Sequence, residues 1–208
     1  MEKTVKGSKV FTPEYILEIR EGNYTKDEAT TKILHECGQT RFPINPWQIA
    51  RKLNFKVLEA SFRNKSISGM MIDALEVPDV LKPFGSKRAI ILNKDESKQM
   101  QSFTIAHELA HFVYDCNEQS NCFDAYHVSR DKGEHELNEG EQEEKKREDD
   151  MDEFAAKLLM PEILFREYIN NSPNRNNKEI LTRELARVCM VEETAVDKRY
   201  EELDISFI

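Results

Sequence analysis

The residues of this chain best suited to chemistry are His107, Glu108 and His111, in the pentapeptide His107-Glu108-Leu109-Ala110-His111. On a helix, residues four apart lie one turn from each other on one face. Both imidazoles can then bind one zinc ion, and the glutamate beside the first reaches a zinc-bound water. The pattern predicts a zinc hydrolase centre with His107 and His111 as ligands and Glu108 as the proton-transferring base.

A hydrolytic zinc takes three protein ligands and keeps one position open. The run Glu148-Asp149-Asp150-Met151-Asp152 is the natural source of the third. If it is helical, Glu148 and Asp152 share a face. One carboxylate can bind the metal while the other accepts the free N–H of a ligating histidine and fixes its tautomer. Glu148 as ligand with Asp152 as orienter suits this spacing, and Asp150 is the competing ligand. The plain alternative for His107 and His111 is a pair of buried histidines on an amphipathic helix. The apolar residues on both sides of the motif argue against it, because buried polar groups there need a purpose. His35, His127 and His135 read as surface or loop residues. Tyr126 and His127 are candidates for a group that donates to the transition state.

The elements that must position these residues can be read from periodicity. Lys26 to Gly38 predicts a helix with Thr25 as N-cap, and Asn45-Pro46 opens a second helix. Residues 55–60, 68–72 and 88–93 predict three strands. Residues 95–114 predict the helix that carries the histidines. Residues 115–147 show no apolar periodicity and are crowded with glutamate, so they read as an acidic, solvated insertion. Helix resumes at about 145–160, a short helix covers 161–171, and 178–203 holds one or two small helices. Residues 1–25 look like a polar extension, although Tyr15 to Ile19 could pack. The division is an extension (1–25), a catalytic domain (26–172) and a small helical C-terminal segment (173–208). The fold class is α+β with a small mixed or antiparallel sheet.

At 208 residues the chain can bury one good core. No stretch is apolar enough to span a bilayer, and the N-terminus lacks the apolar core of a secretory signal. These features predict a cytoplasmic protein without membrane contact. A net charge of −9 disfavours direct nucleic-acid binding by the whole surface. Cys37, Cys116, Cys122 and Cys189 form no C-x-x-C pair, and the expectation is four reduced, structural cysteines. A second metal site from Cys116, Cys122 and His127 is a minor alternative.

Phe103-Thr104-Ile105-Ala106-His107-Glu108-Leu109-Ala110-His111-Phe112, followed by Asp152-Glu153-Phe154-Ala155-Ala156-Lys157-Leu158-Leu159-Met160-Pro161, resembles the ImmA/IrrE family of metallopeptidases. Pro46 to Val57, Ser68 to Ile72 and Ile90 to Asn93 resemble the family's segments ahead of the catalytic helix. The likeness covers roughly residues 26–165. It implies a zincin-like core, Zn2+ as cofactor, a third ligand at Glu148 and, often, cleavage of a helix-turn-helix transcriptional repressor. Such cleavage relieves repression in a mobile element, prophage or stress response. Met151 departs from the family pattern, and the acidic insertion is longer than expected. Leu181 to Tyr200 resembles a degenerate helix-turn-helix, but its basic residues are offset by acidic ones. Packing or substrate docking is therefore expected there rather than DNA reading. Two further functions remain: a zinc-containing interaction module that binds without cutting, and a toxin–antitoxin or phage-defence component acting on another protein.

Overall fold

A computed structural model of the chain describes residues 11–127 and 138–207. The described elements run α1 (Glu14–Glu21), α2 (Lys26–Glu36), α3 (Pro46–Lys52), β1 (Lys56–Ala60), β2 (Ile67–Asp73), β3 (Arg88–Asn93) and α4 (Lys98–Tyr114). They continue with β4 (Cys122–His127), α5 (Glu139–Leu159), α6 (Glu162–Asn171), α7 (Lys178–Cys189) and α8 (Glu193–Glu202). A 3-10 segment, Asp79–Phe84, lies between β2 and β3.

Local chemistry explains most boundaries. Thr25 and Glu28 form a reciprocal capping box at the start of α2. Asn45 caps α3 with Pro46 in its first turn. Ser97 accepts the Met100 N–H and starts α4. Asn138 and Glu141 form a second capping box at the start of α5.

The four strands form one mixed sheet in the order β1-β3-β2-β4. β1 runs parallel to β3, with Val57 opposite Ile90, and β2 runs antiparallel to both β3 and β4. β3 is flanked on both sides, and all six of its residues are buried. One face of the sheet carries α4. At Gly69 on β2 the approach is so close that a Cβ would lie 2.5 Å from Thr104 Cγ2 of α4. The main core lies between this face and the helices, and includes Ile33, Ile49, Phe55, Leu92, Ile105, Leu109, Phe154 and Leu158. A smaller cluster of Ile72, Ala74, Leu81, Ala89 and Ile91 covers the other face.

The structure departs from the sequence reading in three elements. β4 is a fourth strand within the stretch read as an acidic insertion; its residues pair with β2 although Asp124 and Tyr126 break any apolar alternation. α5 starts at Glu139 rather than near Lys145, because the capping box and the Glu144–Arg147 ion pair, three residues apart, support a helix that has no apolar face in its first half. Residues 128–137 of that insertion lie outside the described residues. α1 belongs to the stretch read as an extension, yet Ile16 and Ile19 are buried in the main core. Two apolar positions three apart were enough to dock a short helix.

The cysteine expectation also needs correction. Cys116 and Cys122 are joined by a disulfide, which excludes them as a free-thiol metal site with His127; Cys37 and Cys189 are free and buried. The turn from the end of α4 into β4 brings the two Cα atoms to 5.5 Å, within bridging reach. Among the described residues, no helix is long and apolar enough to cross a membrane.

Candidate metal centre

α4 carries His107, Glu108 and His111 into the interior, where all three are 0% exposed. Their helix is buried along most of its length, wedged between the sheet and α5. α5 crosses α4 and brings Glu148 onto the histidine pair. His107 Nε2 and His111 Nε2 are 3.0 Å apart. Glu148 lies 3.2 Å from the first through Oε2 and 3.5 Å from the second through Oε1.

These spacings can be tested against zinc. Four ligands at about 2.1 Å in tetrahedral array place donor atoms about 3.4 Å apart. The three observed separations bracket that value, so His107, His111 and Glu148 form a group that could hold a metal ion. Asp150, the competing ligand, is turned away, and its Oδ1 accepts from Lys26 Nζ at 2.6 Å. Two residues along α5 is a rotation of about 200°, which puts Asp150 on the opposite side of the helix from Glu148.

The far nitrogens of both rings are held by carboxylates. His107 Nδ1 is 2.8 Å from Asp152 Oδ1, and His111 Nδ1 is 2.6 Å from Asp115 Oδ2. Each carboxylate favours a proton on Nδ1, so that once Nε2 gives up its proton, as metal binding requires, its lone pair faces Glu148. Burial alone would lower the His107 pKa. Hydrogen bonds to Asp152 and Glu148 outweigh it and raise the value to about 9. For Glu148 burial works upward, but His107, His111 and Arg147 hold the carboxyl below the ordinary carboxylate range. Both shifts say the same thing: positive charge is favoured where these donors meet.

Glu108 stands apart from the donor set. Its Oε1 accepts the backbone N–H of Tyr126 at 3.2 Å, and its buried Oε2 has no hydrogen-bond partner among the described residues. Burial pushes its carboxyl up to about 8, with His107 pulling the other way. A cation at the neighbouring donors would draw it down further. A buried carboxylate oxygen left without a partner is costly in a purely structural role and suits a group that awaits a ligand proton.

β4 closes one side of the site. The Tyr126 ring lies 4.0 Å from the His107 ring, centroid to centroid, and Asp124 Oδ2 is 3.6 Å from His111 Nδ1. Asp115, Asp124 and Arg147 were not foreseen as part of the site. Asp115 could have been found, because it stands one helical turn after His111. Nothing local signals Asp124 or Arg147, which arrive from β4 and α5. His35 is exposed beside Glu36, and His135 lies outside the described residues.

Comparison with known proteins adds a family. The model of the Peptidase_M78 family, described as the IrrE N-terminal-like domain, matches residues 50–201, well over half of the chain. Among curated proteins, none matches. A solved structure described as a Mycobacterium tuberculosis transcriptional regulator is similar at 15% identity with a TM-score of 0.49. The alignment covers 90% of this chain and 51% of that one, so this chain spans about half the length of that structure.

Proposed function

The chain belongs to the Peptidase_M78 (IrrE N-terminal-like) family, and from that premise we propose that it is a zinc-dependent endopeptidase that cuts a helix-turn-helix transcriptional repressor. The observation that carries the reading is the pairing of three convergent donors with a buried Glu108 oxygen that has no hydrogen-bond partner among the described residues. A binding module has no use for that oxygen.

His107, His111 and Glu148 would hold the zinc, and Glu108 would act as the general base and acid. Bound there, zinc supplies Lewis acidity, making a water more acidic and a carbonyl more electrophilic. Asp152 and Asp115 keep the two imidazoles oriented throughout. Glu108 Oε2 takes a proton from the attacking water as the new C–O bond forms. It then returns that proton to the amide nitrogen as the C–N bond breaks, so the carboxylate is regenerated. The repressor as substrate rests on the family and on the sequence likeness to ImmA/IrrE proteins, which often cut such regulators.

The test is co-expression with the helix-turn-helix regulator encoded beside the gene, following the regulator by mass. A discrete fragment that appears with the intact chain and not with Glu108→Gln supports the reading. An intact regulator in the presence of zinc-loaded protein sinks repressor cleavage. A biological effect that survives Glu108→Gln points instead to a binding role.

A further inference from the structure

Arg147 precedes Glu148 on α5, and its guanidinium reaches three elements at once. Nη2 lies 2.8 Å from Asp115 Oδ2 at the end of α4 and 2.8 Å from Asp124 Oδ2 on β4. Nε is 3.1 Å from the same Asp115 oxygen, while Nη1 binds Glu144 at 2.9 Å and approaches Glu148 at 3.5 Å. Nη2 is also 3.0 Å from His111 Nδ1.

Two facts bear on what this cation does where it stands. His111, Asp115 and Asp124 by themselves form a second group with the spacing to hold a metal ion, and the guanidinium sits among them. Asp115 is also the acceptor for His111 Nδ1, so whatever holds Asp115 holds the ring. Without Arg147, Asp115 and Asp124 would repel each other beside the same imidazole.

We propose that Arg147 is a positioning residue for the metal centre: by gripping Asp115 and Asp124 together it locks the His111 ring and sets the distance at which α5 presents Glu148. This rests on the zinc reading above. A planar fork can bind two carboxylates in fixed directions, which a lysine ammonium cannot. Loss of such an outer support costs about 10–100-fold in metal affinity where it has been removed from other sites.

The experiment is zinc affinity by competition with a chromophoric chelator, for the intact chain and for Arg147→Met, Arg147→Lys and Asp124→Asn. Circular dichroism would show that each variant is folded. Nitrogen-15 shifts of the His111 imidazole would be recorded alongside. Arg147→Met should lose about 10–100-fold in affinity, and His111 should sample both tautomers. Asp124→Asn, which keeps the arginine but removes one anchor, should shift in the same direction by less. Lysine should recover only part of the loss. An Arg147→Met protein, or a folded Asp124→Asn protein, that binds zinc like the intact chain would overturn the role, as would full recovery by lysine. An intact chain that takes up no zinc at all would overturn the metalloenzyme reading itself, an outcome distinct from those three.

Discussion

Asp152 Oδ1 sits 2.8 Å from His107 Nδ1, one helical turn beyond Glu148, whose Oε2 is 3.2 Å from the Nε2 of the same ring. One imidazole is thus held from both sides by two carboxylates of α5. Removing either should be felt differently. Asp152→Asn retains an oxygen that can accept from Nδ1 but discards the charge, and zinc affinity or peptide cleavage should fall by about 10–100-fold. Chelator competition reads the first, and an unchanged affinity together with unchanged cleavage would show that the contact has no part in binding.

Glu108→Gln should separate binding from chemistry. Its Oε1 accepts the Tyr126 backbone N–H, a bond that an amide oxygen also accepts. Fold and zinc content should persist, while cleavage should fall by at least about 100-fold, the usual worth of a positioned proton carrier. Metal analysis and fragment mass on the same preparation check both halves. Residual cleavage near the wild-type rate would remove Glu108 from the mechanism.

Away from the site, Arg88 and Asp73 form an ion pair with side chains 0% and 1% exposed, and the guanidinium also donates to Leu53 O at 2.9 Å. It lies over the Phe112 ring, 4.5 Å from its centroid. Asp73→Asn removes the Asp73 counter-charge from a buried cation. Urea unfolding should show a loss of about 3–5 kcal/mol. A loss under about 1 kcal/mol, the ordinary worth of an exposed pair, would mean that this pair is not what anchors β2 and β3 to the α3–β1 turn.

Gly69 gives a steric prediction. Alanine there places a methyl group against Thr104 Cγ2 and 3.1 Å from Ile91 O, so α4 must move off the sheet or Thr104 must turn. The expected cost is about 1–3 kcal/mol, as for overpacking elsewhere. Gly69→Ala combined with Thr104→Ser, which deletes the opposing methyl, should recover most of it; failure to recover would place the strain in the backbone of β3 instead.

Asp27 supplies a pH dependence. Burial works to raise its pKa, but Lys157 and Arg199 outweigh that and lower it below the ordinary value of 3.8. A carboxyl whose folded pKa is depressed contributes stability that is fully present above the unfolded value and is lost as pH falls through the folded one. Asp27→Asn should therefore be less stable than the intact chain at pH 7, and the difference should shrink as pH falls below about 3.8. Equal melting temperatures at pH 7 would show that the α2–α5–α8 charge cluster contributes nothing.

Much of this protein was written in local sequence. The spacing of His107 and His111 put both imidazoles on one face of α4 because the helix period is 3.6 residues, and Glu148 and Asp152 share a face of α5 for the same reason. Alternation and capping residues marked β1, β2, β3 and most helix starts within a few residues. What only the tertiary structure decided depends on distance in sequence. The choice of Glu148 over Asp150 beside the histidines follows from the rotation at which α5 packs on α4, which no residue type reveals. β4 was illegible because an edge strand facing a polar site need not alternate apolar and polar residues. The Cys116–Cys122 bridge needed the turn between α4 and β4 to bring its ends together. Arg147 could be read as one basic residue in an acidic run; only the fold places Asp115 and Asp124 on either side of it.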